Sequence, residues 1–264
     1  MIIRQKQAFA QGYNSITEIK GKNAEMLMDF GILELKAGES QENQEEKERA
    51  YLLIRGEVVY KWLDNEVCAK RESCFDQEPW CLHVPKGIAI KITALSKDAE
   101  LAVIMTENEK SFQDKLFTPE ECHSEQRGKG TMKETSTRTV RTIFDTTNAA
   151  DSNLVIGEVI DHPGKWSSYP PHHHPQPEIY YYKFLPQNGF GYAEVGEEVY
   201  KVRNNDTMKI TEGMTHPQTT APGYAMFYLW VIRHLEDNPY IQPTFVPEHL
   251  WVTKEDARIW PDKF

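Results

Sequence analysis

The residues of this chain best suited to chemistry are His172, His173, His174, Glu178 and His216. Side chains of an extended strand alternate between its two faces, so His172 and His174 share one face while His173 points to the other. Three imidazoles and one carboxylate suit Zn, Mn, Fe or Ni and leave positions open for water or substrate. The spacing therefore predicts a divalent-metal site formed by His172, His174, Glu178 and His216.

The alternative is a solvated histidine loop that binds metal only adventitiously. The run lies between Pro171 and Pro175 inside the chain, which argues against an expression tag. Glu178 follows closely, and Gly213 permits a tight turn that could present His216, so the pattern favours a ligand set. The other histidines lack comparable neighbours and are predicted to be surface or hydrogen-bonded residues: His83, His123, His162, His234 and His249.

The elements that must position these residues are short β-strands. Runs rich in Val, Ile, Tyr and Phe alternate with Gly, Pro, Asn and Asp along the whole chain, as is typical of barrels and sandwiches. Strands are predicted at 26–35, 50–62, 80–84, 88–95, 101–106, 155–160, 179–184, 191–195, 198–202, 207–210 and 225–232. The acidic stretch 39–48 is predicted to be a solvated loop. The fold class is therefore all-β.

Two short helices are predicted between and after these strands. Residues 118–121 (Thr-Pro-Glu-Glu) place proline at the first helical position and glutamate in a capping box. Residues 253–256 offer a similar start near the C-terminus. The Gly- and Thr-rich segment from Arg127 onwards is predicted to be a connection. We therefore predict one domain at 1–115, a linker with a short helix at 116–145, and a second domain at 146–264.

Composition narrows the class of function. The chain has 264 residues, 39% of them hydrophobic and 11% aromatic, enough for two small cores. A net charge of −10 disfavours binding to nucleic acid or an anionic membrane. The N-terminus lacks an apolar signal core, and the spacing of the four cysteines matches no zinc site, so we expect a cytoplasmic protein with reduced thiols. The expected partner is a small molecule.

The histidine and glutamate spacing also resembles a known superfamily. His-x-His-x3-Glu followed by Gly-x2-His is similar to the two motifs of the cupins, whose small β-barrel holds a metal through these four side chains. More specifically, the chain resembles the 5-deoxy-glucuronate isomerase (IolB) family. The matching stretches are 30–33, 37–40, 55–57, 127–130, 166–172, 178–182, 189–191, 216–217, 221–224 and 227–231. The resemblance thus covers nearly the whole chain, with departures at His173, Pro175 and Thr215.

A weak internal repeat accompanies this resemblance. Glu48 aligns with Glu178, and Gly87 aligns with Gly213, but no His-x-His precedes Glu48 and an apolar run follows Gly87. The resemblance and the repeat together imply a bicupin with two double-stranded β-helix (jelly-roll) barrels and short helices in the linker and at the C-terminus. Only the C-terminal barrel is expected to bind metal.

The resemblance implies an aldose–ketose isomerase that converts 5-deoxy-D-glucuronate to 5-dehydro-2-deoxy-D-gluconate in inositol catabolism. Such a reaction needs a base and an electrophile, and a metal can be the electrophile. The candidate catalytic residues are Glu178, Tyr182 and Lys183. Alternation places Tyr180 on the same strand face as Glu178. The substrate carboxylate is expected to meet an arginine or lysine, with Arg127, Arg141 and Lys183 as candidates.

Three other functions stay open from the sequence. The chain could be a related isomerase of the 5-keto-4-deoxyuronate type, a metal-dependent cupin dioxygenase, or a noncatalytic sugar-binding cupin. Oxygen dependence of turnover separates an isomerase from a dioxygenase, and binding without product identifies a noncatalytic protein. Exposed barrel edges are compatible with a homo-oligomer.

Overall fold

The computed structural model describes residues 1–262, and β-strands are the main regular structure in this range. The first strands are β1 Ile2–Ile3, β2 Gly12–Thr17, β3 Asp29–Lys36, β4 Ser40–Asn43, β5 Glu48–Trp62, β6 Asn65–Arg71, β7 Cys81–Val84, β8 Ile90–Ala94, β9 Asp98–Thr106, β10 Lys115–Phe117 and β11 His123–Arg127. The later strands are β12 Arg138–Phe144, β13 Leu154–Asp161, β14 Trp166–Ser167, β15 His172–His173, β16 Glu178–Leu185, β17 Phe190–Val195, β18 Glu198–Arg203, β19 Thr207–Ile210, β20 Gln218–Thr220, β21 Ala225–Arg233 and β22 Thr244–Phe245. The helices are 3-10 turns at Ala24–Met26, Pro119–Glu121, Met132–Glu134 and Pro247–Thr253.

The chain forms two compact units that are not consecutive in sequence. The N-terminal unit comprises residues 6–123 and 143–155, and the C-terminal unit comprises residues 1–5, 124–142 and those from 156 onwards. This division differs from the three consecutive segments that the sequence predicted. The first residues belong to the C-terminal unit because β1 pairs with β19.

Both units order their strands in the same way. The N-terminal unit has the path β10-β7-β5-β9-β3-β2, and the larger sheet of the C-terminal unit has β1-β19-β16-β21-β13-β12-β11. The second half of β5 pairs with β6 and β8, as β17 pairs with β18 and β20. The two halves of the long strand β5 therefore take the positions that two separate strands, β16 and β17, take in the C-terminal unit.

The register of β5 places Arg49, not Glu48, at the position equivalent to Glu178. Glu178 pairs with Ile210, the last residue of β19, and Arg49 pairs with Val84, the last residue of β7. The alignment of Glu48 with Glu178 was therefore wrong by one residue. In a strand, a shift of one residue moves a side chain to the opposite face of the sheet.

The Arg49 guanidinium is fully buried and satisfied by oxygen atoms of the same unit. Its Nη1 atom donates to Asn43 Oδ1 at 2.7 Å, and Nη2 donates to the carbonyl oxygens of Pro85 at 3.1 Å and Ile88 at 2.6 Å. These acceptors lie at the end of β4 and in the β7–β8 connection. A covalently attached cation thus stands at the register position that carries a carboxylate in the C-terminal unit.

Alternation along β16 defines the interior of the C-terminal unit. Tyr180, Tyr182 and Phe184 pack with Met208 and other apolar residues in one buried cluster. Because Glu178 shares their face, the first residue of β16 also points to the interior. The strand therefore delivers one carboxylate to the end of an otherwise apolar and aromatic core.

Three local predictions need correction. The C-terminal helix ends at Thr253 instead of beginning there, because Pro247 starts it and no helix follows within the described residues. The acidic stretch contains β4, since exposed polar residues can form an edge ladder, here with β8. The segment taken as a connection after Arg127 includes the largely buried strand β12.

Among residues 1–262, no helix is long and apolar enough to cross a membrane. The four cysteines are free thiols, as predicted.

Candidate metal centre

Three of the four predicted ligands converge in the C-terminal unit. His174 follows β15, Glu178 begins β16, and His216 lies between β19 and β20. One donor atom from each lies within 4.8 Å of the others, and all three residues are buried. Glu178 Oε2 is 3.1 Å from His174 Nε2 and 3.3 Å from His216 Nε2. Among the described residues this is the one such group of donor atoms.

Backbone carbonyls fix which ring nitrogen faces Glu178. His174 Nδ1 lies 3.0 Å from the carbonyl oxygen of Gln176, and His216 Nδ1 lies 2.8 Å from that of Met214. A carbonyl can only accept, so in each neutral ring Nδ1 carries the hydrogen and Nε2 keeps its lone pair. Burial lowers the pKa of His216 to about 4, which keeps that ring neutral near pH 7.

This arrangement brings two ring nitrogens and a carboxylate oxygen together at one point. Within residues 1–262, His216 Nε2 is buried and has no hydrogen-bond partner. Two imidazole lone pairs and a carboxylate oxygen can be satisfied together by a cation, and metal-binding histidines commonly donate their other N–H to a backbone carbonyl. The donor set therefore fits a divalent metal such as Zn, Mn, Fe or Ni.

His172 lies beside these three residues, but its ring nitrogens are not among the donor atoms that lie within 4.8 Å of one another. Its ring centroid is 4.7 Å from that of His216, and its Nδ1 is 3.3 Å from the carbonyl oxygen of Pro170. Burial lowers its pKa to about 4, so its Nε2 is also unprotonated near pH 7. The role of His172 as the fourth ligand stays a prediction.

The chain segments that carry the histidines are held by local backbone features. Strand β15 pairs with β22, with His172 opposite Phe245 and His173 opposite Thr244. The turn before His216 contains Gly213 at φ +69°, the left-handed conformation that glycine adopts readily. The predicted turn is therefore present, and it directs His216 towards Glu178.

Aromatic residues from the segment after β21 lie against the same histidines. The Tyr240 ring centroid is 4.9 Å from that of His174, and the Phe245 ring centroid is 5.6 Å from that of His172. Gln176 Nε2 also donates to the carbonyl oxygen of Asn238 at 2.8 Å. Sequence reasoning missed these contacts because the segment has no strand periodicity and lies far from the motifs.

A row of buried hydroxyls extends from the histidines into the core. The Tyr180 ring lies 5.9 Å from that of His216, and its hydroxyl is 3.2 Å from Ser168 Oγ. Ser168 Oγ is 3.3 Å from the Tyr228 hydroxyl, which also hydrogen bonds to Ser167. Burial raises the pKa of Tyr180 and of Tyr228, so both hydroxyls stay protonated at neutral pH.

The two other predicted catalytic residues differ in position. Tyr182 faces the interior, where its hydroxyl donates to Gln218 Oε1 at 2.6 Å, and Gln218 Nε2 donates to the carbonyl oxygen of His216 at 2.8 Å. Tyr182 therefore supports the His216 backbone. Lys183 lies on the opposite strand face, with Nζ 2.7 Å from Asn205 Oδ1 and over the Tyr181 ring. Its position does not support the predicted catalytic role, because alternation turns it away from Glu178.

The candidate carboxylate-binding arginines also have other contacts. Arg141 Nη1 pairs with Glu158 at 3.4 Å in the interior, and Arg127 Nε pairs with Glu125 at 2.6 Å at the surface. A different cation, Arg138, is buried and acts electrostatically on His172. Sequence reasoning missed Arg138 because it lies in the segment predicted to be a connection.

Comparison with known proteins agrees with the resemblance seen in the sequence. The chain is 29% identical to the 5-deoxy-glucuronate isomerase of Bacillus licheniformis over 253 residues, covering 88% of this chain and 91% of that protein. It is 33% identical to the enzyme of the same name from Geobacillus thermodenitrificans over 169 residues, covering 58% and 59%.

Solved structures extend this comparison to the fold. An IolB-like protein from Salmonella typhimurium LT2 is 29% identical and superimposes with a TM-score of 0.84, covering 95% of this chain and 98% of that one. The Bacillus subtilis oxalate decarboxylase OxdC shares the fold at 12% identity, with a TM-score of 0.65 and coverage of 94% and 79%. The family model described as KduI/IolB matches residues 1–252. The chain therefore belongs to the KduI/IolB family.

Proposed function

We propose that this protein is an aldose–ketose isomerase that converts 5-deoxy-D-glucuronate to 5-dehydro-2-deoxy-D-gluconate. The observation that carries the proposal is the buried His174–Glu178–His216 group, inside a chain that aligns over most of its length with relatives named for this activity. Both units are proposed to be cupin jelly-roll barrels, and their common strand order supports this. The expected role is in inositol catabolism in the cytoplasm.

The metal is proposed to be held by His172, His174, Glu178 and His216. The chemistry that a bound divalent cation supplies is polarisation of the substrate carbonyl and fixation of the neighbouring oxygen. The roles of His174, Glu178 and His216 rest on the convergent donor atoms described above, and the role of His172 rests on its ring position beside His216.

The residues of the chain must move one proton between carbons and another between oxygens. With Glu178 Oε2 directed at the two imidazoles, Oε1 is the atom of this carboxylate that can accept the proton from C2 and return it to C1. The Tyr180 hydroxyl faces the same interior and stays protonated, so it can donate its proton to O1 of the substrate and take the proton of the C2 hydroxyl in return. Tyr240 and Phe245 cover the histidines and limit the access of water.

The proposal is tested by incubating the metal-loaded protein with 5-deoxy-D-glucuronate in D2O and following the sugar by NMR. Appearance of the ketose with deuterium on its hydroxymethyl carbon, the aldehyde carbon C1 of the substrate, is expected for proton transfer through an enediol. The rate should be the same under anaerobic conditions, which a dioxygenase cannot satisfy. Binding of the sugar acid without any product would contradict an enzymatic function.

The same experiment should also include 5-keto-4-deoxyuronate, the substrate of the alternative isomerase. The matched family carries two names, KduI and IolB, so an isomerase of the 5-keto-4-deoxyuronate type is the closest alternative. The curated relatives named above favour 5-deoxy-glucuronate. A higher kcat/KM for the 5-keto-4-deoxyuronate would reverse this assignment.

Tyr180→Phe is expected to lower kcat by about 10²-fold, because a positioned proton donor contributes at least this much to proton transfer. Metal content should not change, since the hydroxyl contacts Ser168 and not the donor atoms. Steady-state kinetics and metal analysis check both statements. Tyr182→Phe is the matched comparison and should have a smaller effect, because its hydroxyl is bonded to Gln218. Equal kcat in Tyr180→Phe and wild type would exclude Tyr180 from the reaction.

A further inference from the structure

Arg138 is a buried cation in the interior of the C-terminal unit. It lies two residues before Val140 on β12, and Val140 packs in the interior cluster with Tyr180 and Tyr228. Residues two apart on a strand share a face, so Arg138 points towards the same interior. Only 9% of its surface remains exposed.

The hydrogen bonds of Arg138 leave part of its guanidinium unused. Nη1 donates to the carbonyl oxygen and the hydroxyl of Ser136, each at 2.7 Å, and Nη2 lies at 3.5 Å from the carbonyl oxygen of Tyr169. The last distance is at the outer limit of a hydrogen bond. Nε and one N–H of Nη2 have no protein acceptor among residues 1–262. The planar fork is therefore only partly occupied.

Within the described chain, no carboxylate lies at ion-pair distance from Arg138. Asp161 is on the adjacent strand β13 and shares the interior face with Val159. Burial raises the pKa of Asp161 well above its usual range despite the opposing charge of Arg138, which favours the neutral acid. Arg138 itself stays charged, because a guanidinium does not lose its proton in proteins. Arg138 is thus a buried cation with no carboxylate at ion-pair distance among the described residues.

An isolated buried charge is costly unless a partner of opposite sign arrives. The guanidinium fork matches a carboxylate in two parallel hydrogen bonds, which a lysine cannot reproduce. Val140, on the same face of β12 as Arg138, packs with Tyr180 and Tyr228, and Arg138 Nη2 lies near the carbonyl oxygen of Tyr169, three residues before His172. An anion bound by Arg138 would therefore lie on the interior side of the unit that carries the hydroxyl row and the segment leading to His172.

We propose that Arg138 binds the C6 carboxylate of the sugar acid and orients the aldehyde end towards His174, Glu178 and His216. This inference rests on the proposed function, because the substrate carries one carboxylate, at the end of the carbon chain opposite to the aldehyde. Arg138 is thereby the specificity residue that selects a sugar acid over a neutral aldose. Arg127, Arg141 and Lys183 do not take this role, since each is engaged elsewhere.

The test compares an acid with its neutral counterpart. The two substrates are 5-deoxy-D-glucuronate and 5-deoxy-D-glucose, which has a hydroxymethyl group in place of the carboxylate. Arg138→Met should lower kcat/KM for the acid by about 10²- to 10³-fold, the range found when one partner of a buried charge pair is removed. For the neutral aldose the change should be less than about threefold, so the preference for the acid collapses. Metal content should equal that of wild type.

Two further variants separate recognition from a structural role. Arg138→Lys keeps the charge without the fork and should recover only part of the acid activity. Guanidinium chloride at millimolar concentration should partly rescue Arg138→Ala for the acid and not for the neutral aldose. Arg203→Met, an exposed arginine of the same unit, is the control and should leave both substrates unchanged. Equal losses for the acid and the neutral aldose in Arg138→Met would overturn the assignment.

A binding experiment distinguishes failure of this inference from failure of the proposed reaction. Calorimetric titration with 5-deoxy-D-glucuronate should show binding to wild type and at least tenfold weaker binding to Arg138→Met. If wild type binds the acid through Arg138 but forms no ketose, the proposed reaction fails and the anion site stands. If wild type turns over the acid and Arg138→Met binds it equally well, the reaction stands and the anion site fails. If wild type does not bind the acid, both are overturned.

Discussion

His174→Ala is expected to remove the metal from the C-terminal unit and to lower kcat/KM by at least about 10³-fold, because the loss of one of a few ligands disables both binding and electrophilic activation. The structure makes this variant severe for a specific reason. His174 Nε2 lies 3.1 Å from Glu178 Oε2, and its Nδ1 is fixed by the carbonyl oxygen of Gln176. Metal content per protomer by plasma emission spectrometry, together with NMR-monitored turnover, measures both effects.

The neighbouring histidine provides a matched control. His173→Ala changes the same kind of side chain one residue away, on the other face of the segment, and should keep both metal and activity within about twofold of wild type. His172→Ala is expected to lower both, which would identify His172 as the fourth ligand. Full metal occupancy in His174→Ala would contradict the ligand set proposed for the centre.

Glu48→Ala is expected to lower the free energy of unfolding by about 3–5 kcal/mol, the cost of removing a buried carboxylate from the network of groups that hydrogen bond to it. The Glu48 carboxylate is fully buried in the N-terminal unit. It accepts from His83 Nε2 at 2.8 Å, Asn108 Nδ2 at 2.7 Å, Ser152 Oγ at 2.5 Å and the Asn153 backbone N–H at 2.8 Å. Its removal takes away four charge-assisted hydrogen bonds, although Asn108 and Ser152 keep the carbonyl oxygens of Asp151 and Leu154 as acceptors. Urea unfolding followed by circular dichroism measures the change.

The same carboxylate predicts how stability depends on pH. Burial alone would raise the pKa of Glu48, but the hydrogen bond and charge of His83, together with the hydrogen bonds from Ser152 and Asn153, lower this pKa below the ordinary glutamate value of 4.5. The unfolded chain then binds the proton more readily, so the stabilising contribution is complete above about pH 4.5 and is lost as pH falls through the lower folded-state pKa. Glu48→Gln should remove this acid-dependent contribution.

An exposed ion pair of the same unit serves as the control. Glu66 pairs with Lys61 at 3.1 Å, and both side chains are more than half exposed. Glu66→Ala should therefore change stability by less than about 1 kcal/mol. If Glu48→Ala and Glu66→Ala had equal effects, the buried network would not stabilise the N-terminal unit in the way described.

The sequence predicted the strands whose apolar pattern is strong. The predicted strand 179–184 lies within β16, and the predicted strand 207–210 coincides with β19, because both runs contain aromatic or β-branched residues and end at turn residues or polar segments. Strands β4 and β12 were missed. The first is polar on both faces, and the second carries two arginines whose burial depends on partners that no local pattern reveals.

The residues of the candidate site also differ in whether a local sequence pattern predicts them. His174, Glu178 and His216 were predictable because metal ligands have characteristic residue types and spacing. The cover by Tyr240 and the charge of Arg138 were not, since each reaches the site through long-range pairing and not through a motif. Lys183 lies five positions after Glu178 on the same strand, so alternation already places the two side chains on opposite faces. The sequence itself therefore argued against a catalytic Lys183.

Arg49 has a consequence for the protein without its metal. The C-terminal unit draws its three chain segments together around donor atoms that need a removable ion, whereas the N-terminal unit closes the equivalent segments on a guanidinium that no chelator can extract. Treatment with EDTA should therefore loosen the C-terminal unit and spare the N-terminal unit. Hydrogen exchange would then rise around His216 and stay slow around Pro85 and Ile88, so that the two units report on metal loss independently.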